Sequence, residues 1–150
     1  MNKVLRYQII MFIIMVIIGI CFNPMNMLAY RFSDLYFSLT LFYGGLLMAS
    51  NMIWGHELVH YFAYKHLNSK VFFTGIFMSI SITLLLLREQ FLVNERQWLL
   101  RMIPHHSTAL TTSEKIYNRT KDTKIKELAS DIIKTQEREI DLMKLYLKEQ

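Results

Sequence analysis

Residues that crosslink a small fold or interrupt its helices are rare in the sequence, which has one cysteine, two prolines and five glycines in 150 residues. Because Cys21 has no second cysteine to pair with, an internal disulfide is excluded. The sequence also shows no nucleophile beside a base, no phosphate-binding loop and no carboxylate pair, so the commonest catalytic classes find no support. The net charge of +5 is spread over segment ends and mixed with acidic residues, which argues against a nucleic-acid-binding face.

Long apolar runs dominate the first part of the chain. Hydrophobic residues make up 53% of the sequence, and before residue 88 they are gathered into three segments. These segments, at residues 7–22, 35–64 and 71–87, have the length and composition of membrane-spanning helices. The first lacks a small-x-small cleavage site, so we expect a retained span rather than a signal peptide. The sequence therefore predicts an all-α protein with three transmembrane helices.

Basic residues indicate how these spans are oriented. They precede the first span and occupy the loop between the second and third: Lys3, Arg6, Lys65 and Lys70. The positive-inside rule places both regions in the cytoplasm. We therefore expect an integral membrane protein with a cytoplasmic N-terminus and a membrane region over residues 1–88. Residues 89–150 are expected to form an extracytoplasmic domain, periplasmic or external.

The last third of the chain is typical of two amphipathic helices joined by a polar turn. Apolar residues recur at helical spacing from Trp98 to Ile116, with a kink expected at Pro104. After the turn at residues 118–122 they recur at i, i+3, i+4 and i+7, and Asp122 suits the N-cap. An antiparallel hairpin of this size buries little surface by itself. We expect it to pair with a second copy into a four-helix bundle, or to dock on the spans.

Met102, His105 and His106 form a candidate metal site on the first of these helices. Their spacing of i, i+3 and i+4 places both imidazoles on the same side of the helix as the thioether. Neutral histidine and methionine are ligands that softer transition metals accept. The alternative is a pair of surface histidines beside a methionine that packs in the core.

Two separated strings resemble a known family. Met102-Ile103-Pro104-His105-His106 on the first helix is followed by Gln136-x-x-Glu139-Ile140-x-x-Met143 on the second. In this order and spacing they are similar to the hallmark of the domain of unknown function 305 family, over residues 88–150. The three N-terminal spans and the string Arg88-Glu89-Gln90 resemble the membrane-anchored subset of that family.

The resemblance implies a ferritin-like helical fold that binds copper through histidines and methionines on facing helices. Carried onto this chain, the implied ligands are Met102, His105, His106 and Met143. Imidazoles and thioethers suit Cu(I), which an extracytoplasmic domain would meet before the cytosol does. Family members usually place a methionine six residues after the second histidine, where this chain has Thr112, so one thioether is absent.

Gln136 and Glu139 are candidates for groups that orient the imidazoles. Metal-bound histidines usually donate their other ring nitrogen to an oxygen atom. The alternative is a polar contact between the helices that fixes the register of the hairpin. The sequence leaves both interpretations open for these two residues.

A second constellation lies in the second span, where His56-Glu57-Leu58-Val59-His60 fits a zinc-protease string. In such enzymes the histidines bind zinc and the glutamate acts as the base. An intramembrane protease also needs a third ligand, commonly an aspartate from a later span, and the third span contains no acid. The same helix carries a row at intervals of four residues: Met48, Met52, His56 and His60. That row either binds a soft metal or packs as an ordinary helix face with interfacial histidines.

The leading hypothesis is a membrane-anchored protein that binds copper and serves in metal handling or resistance, without catalytic turnover. Its expected partners are the lipid bilayer, the metal ion and a second copy of the chain. The first alternative is an intramembrane zinc metalloprotease that uses His56, Glu57 and His60, with zinc as cofactor. The second is a structural or interaction module that dimerises through its C-terminal hairpin.

Overall fold

The computed structural model describes residues 3–149, and it contains helices and turns with no strand in that range. The predicted all-α class is confirmed. A short 3₁₀ turn at Phe32–Asp34 precedes the third helix, and the fourth continues as a π-helical segment through Ile82–Arg88. The α-helices of the described range are α1 (Lys3–Cys21), α2 (Pro24–Met27), α3 (Leu39–Tyr64), α4 (Ser69–Ser81), α5 (Glu95–Arg119) and α6 (Thr123–Glu149).

The described chain divides into two compact units. The N-terminal unit comprises residues 3–22 and 39–92, and the hairpin unit comprises residues 23–38 and 93–149. The division after residue 92 lies close to the domain boundary that the sequence suggests at residue 88. Residues 23–38 are the difference, because they pack with the C-terminal hairpin and not with the apolar helices on either side of them in sequence.

Within residues 3–149, two helical stretches are long and apolar enough to cross a membrane, Lys3–Met27 and Ser69–Arg88. Helix α3 does not meet that criterion, so the prediction of three transmembrane helices is not supported for the middle one. Its composition is the reason, because Asn51, Glu57 and several glycines and histidines interrupt the apolar residues. Helix α3 also begins later than predicted, at Leu39, since Leu35 leaves the 3₁₀ turn in an extended conformation and residues 35–38 belong to no helix.

Small residues let the helices of the N-terminal unit approach one another closely. A Cβ atom on Gly19 of α1 would lie 3.0 Å from the Cα atom of Gly45 on α3. A Cβ atom on Gly75 of α4 would lie 2.9 Å from the backbone nitrogen of Trp54 on α3. Close approach at small residues is typical of helix pairs that associate in a bilayer. Helix α3 therefore packs against both apolar helices through glycine contacts.

We expect Gly75→Ala to destabilise the N-terminal unit by about 1–3 kcal/mol, because the added methyl group meets helix backbone that cannot rotate away. Gly44→Ala is the matched control, since a Cβ atom at Gly44 meets nothing within 4 Å. That change should stabilise the helix by about 0.5–1 kcal/mol. Thermal unfolding in detergent, followed by circular dichroism, measures both variants, and equal midpoints would contradict the packing argument.

Helices α5 and α6 form the helical hairpin that the sequence predicts. Asn94 caps α5 by accepting from the backbone nitrogen of Gln97 at 2.9 Å. Asp122 caps α6, as predicted, by accepting from the backbone nitrogen of Lys124 at 2.8 Å. Helix α5 runs through Pro104 as one continuous helix. The buried cluster between the two helices consists of Leu99, Ile103, Leu110, Ile140 and Met143.

Residues 23–38 are tied to this hairpin by a buried carboxylate. Asp34 is fully buried and accepts hydrogen bonds from Ser107 Oγ of α5, at 2.6 Å, and from Lys144 Nζ of α6. Ser107 Oγ accepts in turn from the backbone nitrogen of Tyr30 at 2.8 Å. One acidic side chain thus joins both helices of the hairpin to the segment that precedes α3.

Candidate metal site

The two strings of the hairpin meet in one layer of the helix pair. His106 on α5 lies beside Glu139 on α6, with 3.0 Å between Nδ1 and Oε2. Met143 belongs to the buried cluster, and Met102 packs against that cluster. Because the helices are antiparallel, the residue four before His106 and the residue four after Glu139 stand at about the same level. The fold therefore brings the two methionines next to the His106–Glu139 pair.

Burial sets the chemical state of His106. Its side chain is only 14% exposed. Its Nδ1 atom is buried and lies 3.0 Å from Glu139 Oε2. Burial lowers the pKa of the His106 imidazole, the Glu139 carboxylate opposes this effect, and neighbouring His105 reinforces it. In the neutral ring that burial favours, Nδ1 faces Glu139, so Nε2 is the nitrogen left to ligate a metal.

The remaining predicted ligands differ in accessibility. His105 is exposed, and its ring centroid lies 5.8 Å from that of His106, with the ring planes 60° apart. Met143 is buried in the core, where its thioether contributes to packing. Within residues 3–149, no group of three or more His, Cys, Asp or Glu side chains is arranged to hold a metal ion. The predicted ligands are neighbours, but only two of them are histidines. A group of the kind just described needs at least three His, Cys, Asp or Glu side chains.

The supporting residues that the sequence suggests are only partly engaged. Glu139 reaches His106, as the orienting role requires. Gln136 is half-buried one turn earlier on α6, and its role stays a prediction. Thr112, which replaces the expected methionine, is exposed and donates its hydroxyl to the carbonyl oxygens of Thr108 and Ala109 on its own helix, both at 3.1 Å.

In the second constellation, Glu57 has a structural partner. Its side chain is buried, and its Oε2 atom accepts a hydrogen bond from the backbone nitrogen of Asn68 at 3.0 Å. Asn68 then caps α4 by accepting from the backbone nitrogen of Val71. The carboxylate that a zinc protease would use as its base thus holds the turn between α3 and α4. This arrangement gives Glu57 a role that needs no metal.

The row of methionines and histidines on α3 is continuous only at its histidine end. His56 and His60 have ring centroids 6.3 Å apart with nearly parallel planes. Met48 approaches Gly19 of α1, and Met52 is partly exposed like Met48. The two methionines therefore lie along the side of α3 as packing and surface residues. Within this row, a ring contact joins only the two histidines.

Sequence reasoning missed His66, which the structure places beside this pair. Its ring centroid lies 5.8 Å from that of His60. The six-residue interval between them falls outside helical spacing, so a search for residues on one helix face passes over it. The sequence did contain one indication of this contact, because the helical pattern ends just before Lys65 and the chain must turn there.

The fold and the site define an all-helical protein with two candidate membrane spans and a helical hairpin that carries paired histidines and methionines. Residues 88–149 match the model of the family described as Domain of unknown function (DUF305). The chain is 38% identical over 132 residues to "Uncharacterized protein L153" of Acanthamoeba polyphaga mimivirus, covering 85% of this chain and 82% of that protein. No solved structure matches the chain. The chain belongs to the DUF305 family.

Proposed function

We propose that this protein is a membrane-anchored metal-binding protein, with copper as its metal, that serves in metal handling or resistance without catalytic turnover. The observation that carries the proposal is the layer formed by Met102, His106, Glu139 and Met143. In that layer the Glu139 carboxylate faces Nδ1 of the His106 ring at 3.0 Å, which leaves Nε2 as the nitrogen that can ligate a metal. Metal-bound histidines usually have their other ring nitrogen placed against an oxygen atom in this way.

The donor set fits a soft metal better than a hard one. An imidazole and thioethers are the ligands that Cu(I) accepts, whereas Mg²⁺ and Ca²⁺ require several oxygens. Met102 is half-buried and packs against the hydrophobic cluster. His105 lies at the exposed edge of the layer. We expect metal binding to draw the exposed His105 ring toward His106. This movement completes a site with few ligands, in which Glu139 holds the His106 ring in place.

Anchoring in a membrane rests on the N-terminal unit. Two of its helical stretches have the length and hydropathy of spans, and α3 packs against both apolar helices. The buried polar groups of α3 face these neighbours, and Ser50 of α3 accepts a hydrogen bond from Ser79 of α4 at 3.0 Å. A helix shielded in this way can cross a bilayer despite its polar residues. We propose that α3 supplies a third crossing, which together with a cytoplasmic N-terminus makes the hairpin unit extracytoplasmic.

We expect Met102→Leu to weaken Cu(I) binding by roughly tenfold or more, which corresponds to about 1.4 kcal/mol for the loss of one ligand. Leucine keeps nearly the same volume, so the core packing should change little. Met27→Leu is the matched control, because Met27 is exposed on the short helix α2. Competition with a chromophoric Cu(I) chelator measures all three proteins, and equal affinities would remove Met102 from the site.

A second copy of the chain is the partner that the hairpin unit favours. Exposed apolar side chains on α6 fall within a stripe about 160° wide, and they are Ile125, Leu128, Leu142, Leu145 and Tyr146. A stripe of this kind on a two-helix unit is buried when two hairpins form a four-helix bundle. The same stripe favours the interaction-module alternative if no metal is bound.

Leu142→Glu is expected to weaken dimerisation roughly tenfold to hundredfold, because it places a charge in the buried core of the bundle. Asn118→Glu adds the same charge at an exposed position near the turn of the hairpin and should leave the mass unchanged. Light scattering after size exclusion in detergent gives the mass of each protein. A monomeric wild type would contradict the proposed bundle.

A further inference from the structure

Three of the five histidines in the chain lie together at the end of α3. The ring centroids of His56 and His60 are 6.3 Å apart, and those of His60 and His66 are 5.8 Å apart. The Tyr7 ring of α1 lies 5.8 Å from the His56 ring, and the Tyr64 ring lies 4.9 Å from that of His60. The three imidazoles therefore form a row of neighbours with His60 in the middle.

A tight turn brings the third histidine back to the helix. Helix α3 ends at Tyr64, and Lys65 takes a left-handed conformation with φ of 56°. That conformation is unfavourable for a residue other than glycine. The backbone nitrogen of Lys65 donates to Tyr61 O at 2.8 Å, and the carbonyl of His66 then lies 3.1 Å from His60 Nδ1. The chain thus adopts a costly turn whose result is to place His66 against His60.

Each imidazole has a nitrogen available for a ligand. The contact with the His66 carbonyl requires the Nδ1–H tautomer of His60, which leaves its Nε2 as an acceptor. The Nδ1 atom of His56 is buried without a hydrogen-bond partner. His66 is exposed, so its ring is free to turn. The nitrogens of the described residues do not converge as they stand, and rotation of the His66 side chain is the movement that binding requires.

Three imidazole ligands with no carboxylate select a borderline metal. Zn²⁺ accepts three histidines with a fourth, open position, whereas Mg²⁺ and Ca²⁺ require oxygen ligands. Glu57, the nearest carboxylate in sequence, is committed to the backbone of Asn68, so a hydrolytic base is lacking. We propose that His56, His60 and His66 bind a Zn²⁺ ion, in a site that is independent of His105 and His106 and does not hydrolyse peptides. The proposal goes beyond the copper function and stands without it.

The test uses the full-length protein in detergent with Co²⁺ as a spectroscopic substitute for Zn²⁺. Wild type is expected to show the visible absorption of tetrahedral Co²⁺, and added Zn²⁺ should abolish it. His66→Ala should weaken Co²⁺ binding by at least about tenfold. Removing a group that only orients a metal ligand already lowers the affinity by that factor, and His66 is a proposed ligand itself. His60→Ala should do the same, while the double variant His105→Ala/His106→Ala should retain the band.

The fold of each variant is checked by circular dichroism, and His66 lies on an exposed turn whose side chain is not part of the core. Lys65→Gly keeps all three histidines and relieves the unfavourable φ, so it should bind at least as tightly as wild type. An absent band in wild type overturns the proposal. So does a band that survives His66→Ala, or one that disappears with His105 and His106. Copper binding is read separately, so failure of one site does not decide the other.

Discussion

Lys144→Ala is expected to lower the free energy of unfolding of the hairpin unit by about 3–5 kcal/mol, because it leaves a buried carboxylate without its partner. Asp34 is fully buried, and Lys144 is its cationic neighbour. After the substitution, the hydroxyl groups of Ser107, at 2.6 Å, and Ser33, at 3.5 Å, still donate to that carboxylate. Neutral hydrogen bonds of this kind do not compensate for the desolvation of a charge. Chemical denaturation of the full-length protein in detergent measures the loss.

Two further variants separate the charge effect from loss of packing. Lys148→Ala removes a lysine one turn later on the exposed side of α6, and its effect should stay within about 0.5 kcal/mol. The pair Asp34→Asn/Lys144→Met removes both charges and should recover much of the stability that Lys144→Ala loses. If Lys144→Ala and Lys148→Ala unfold at the same denaturant concentration, the Asp34–Lys144 pair does not stabilise the hairpin unit.

Combined replacement of His105 and His106 by alanine is expected to remove copper binding by the hairpin unit, because the two imidazoles are the nitrogen ligands of the proposed site. We further expect the single variants to differ. His106→Ala should weaken binding by roughly a hundredfold, since its half-buried ring is already held by Glu139 through Nδ1. His105→Ala should have a smaller effect, roughly tenfold, because its ring is exposed and must move to bind.

The control for these variants is the second histidine cluster. His66→Ala removes an exposed histidine from the N-terminal unit and should leave the copper affinity of the hairpin unit unchanged. A matching loss with His66→Ala would mean that copper binds near α3 instead. Equal effects of His105→Ala and His106→Ala would contradict the role given to burial.

Local patterns account for what the sequence predicted correctly. The spacing of apolar residues identified α5 and α6, and Asp122 was recognised as the N-cap that the structure contains. The two strings were paired across the hairpin, and the structure places His106 beside Glu139. These features depend on residues a few positions apart, or on an antiparallel register that a short turn determines.

Contacts between distant residues account for what the sequence did not predict. The partners of Asp34 are more than seventy residues away, at Ser107 and Lys144, so no local pattern indicates that residues 23–38 pack with the hairpin. Glu57 fits a zinc-protease string, but its bond to Asn68 depends on how α3 turns into α4. The middle span is not supported for a related reason, because helix length was easier to recognise than the polar residues that lower the hydropathy of α3.

The most direct test of the proposed function is the copper content of the full-length protein, purified in detergent, loaded with Cu(I) and freed of excess metal. Wild type is predicted to retain about one Cu(I) per chain, as expected for a single site of imidazole and thioether ligands. The variant His105→Ala/His106→Ala is predicted to retain none above the background of a protein-free control. Wild-type protein without copper, or a double variant that keeps the full wild-type amount, would contradict the proposal.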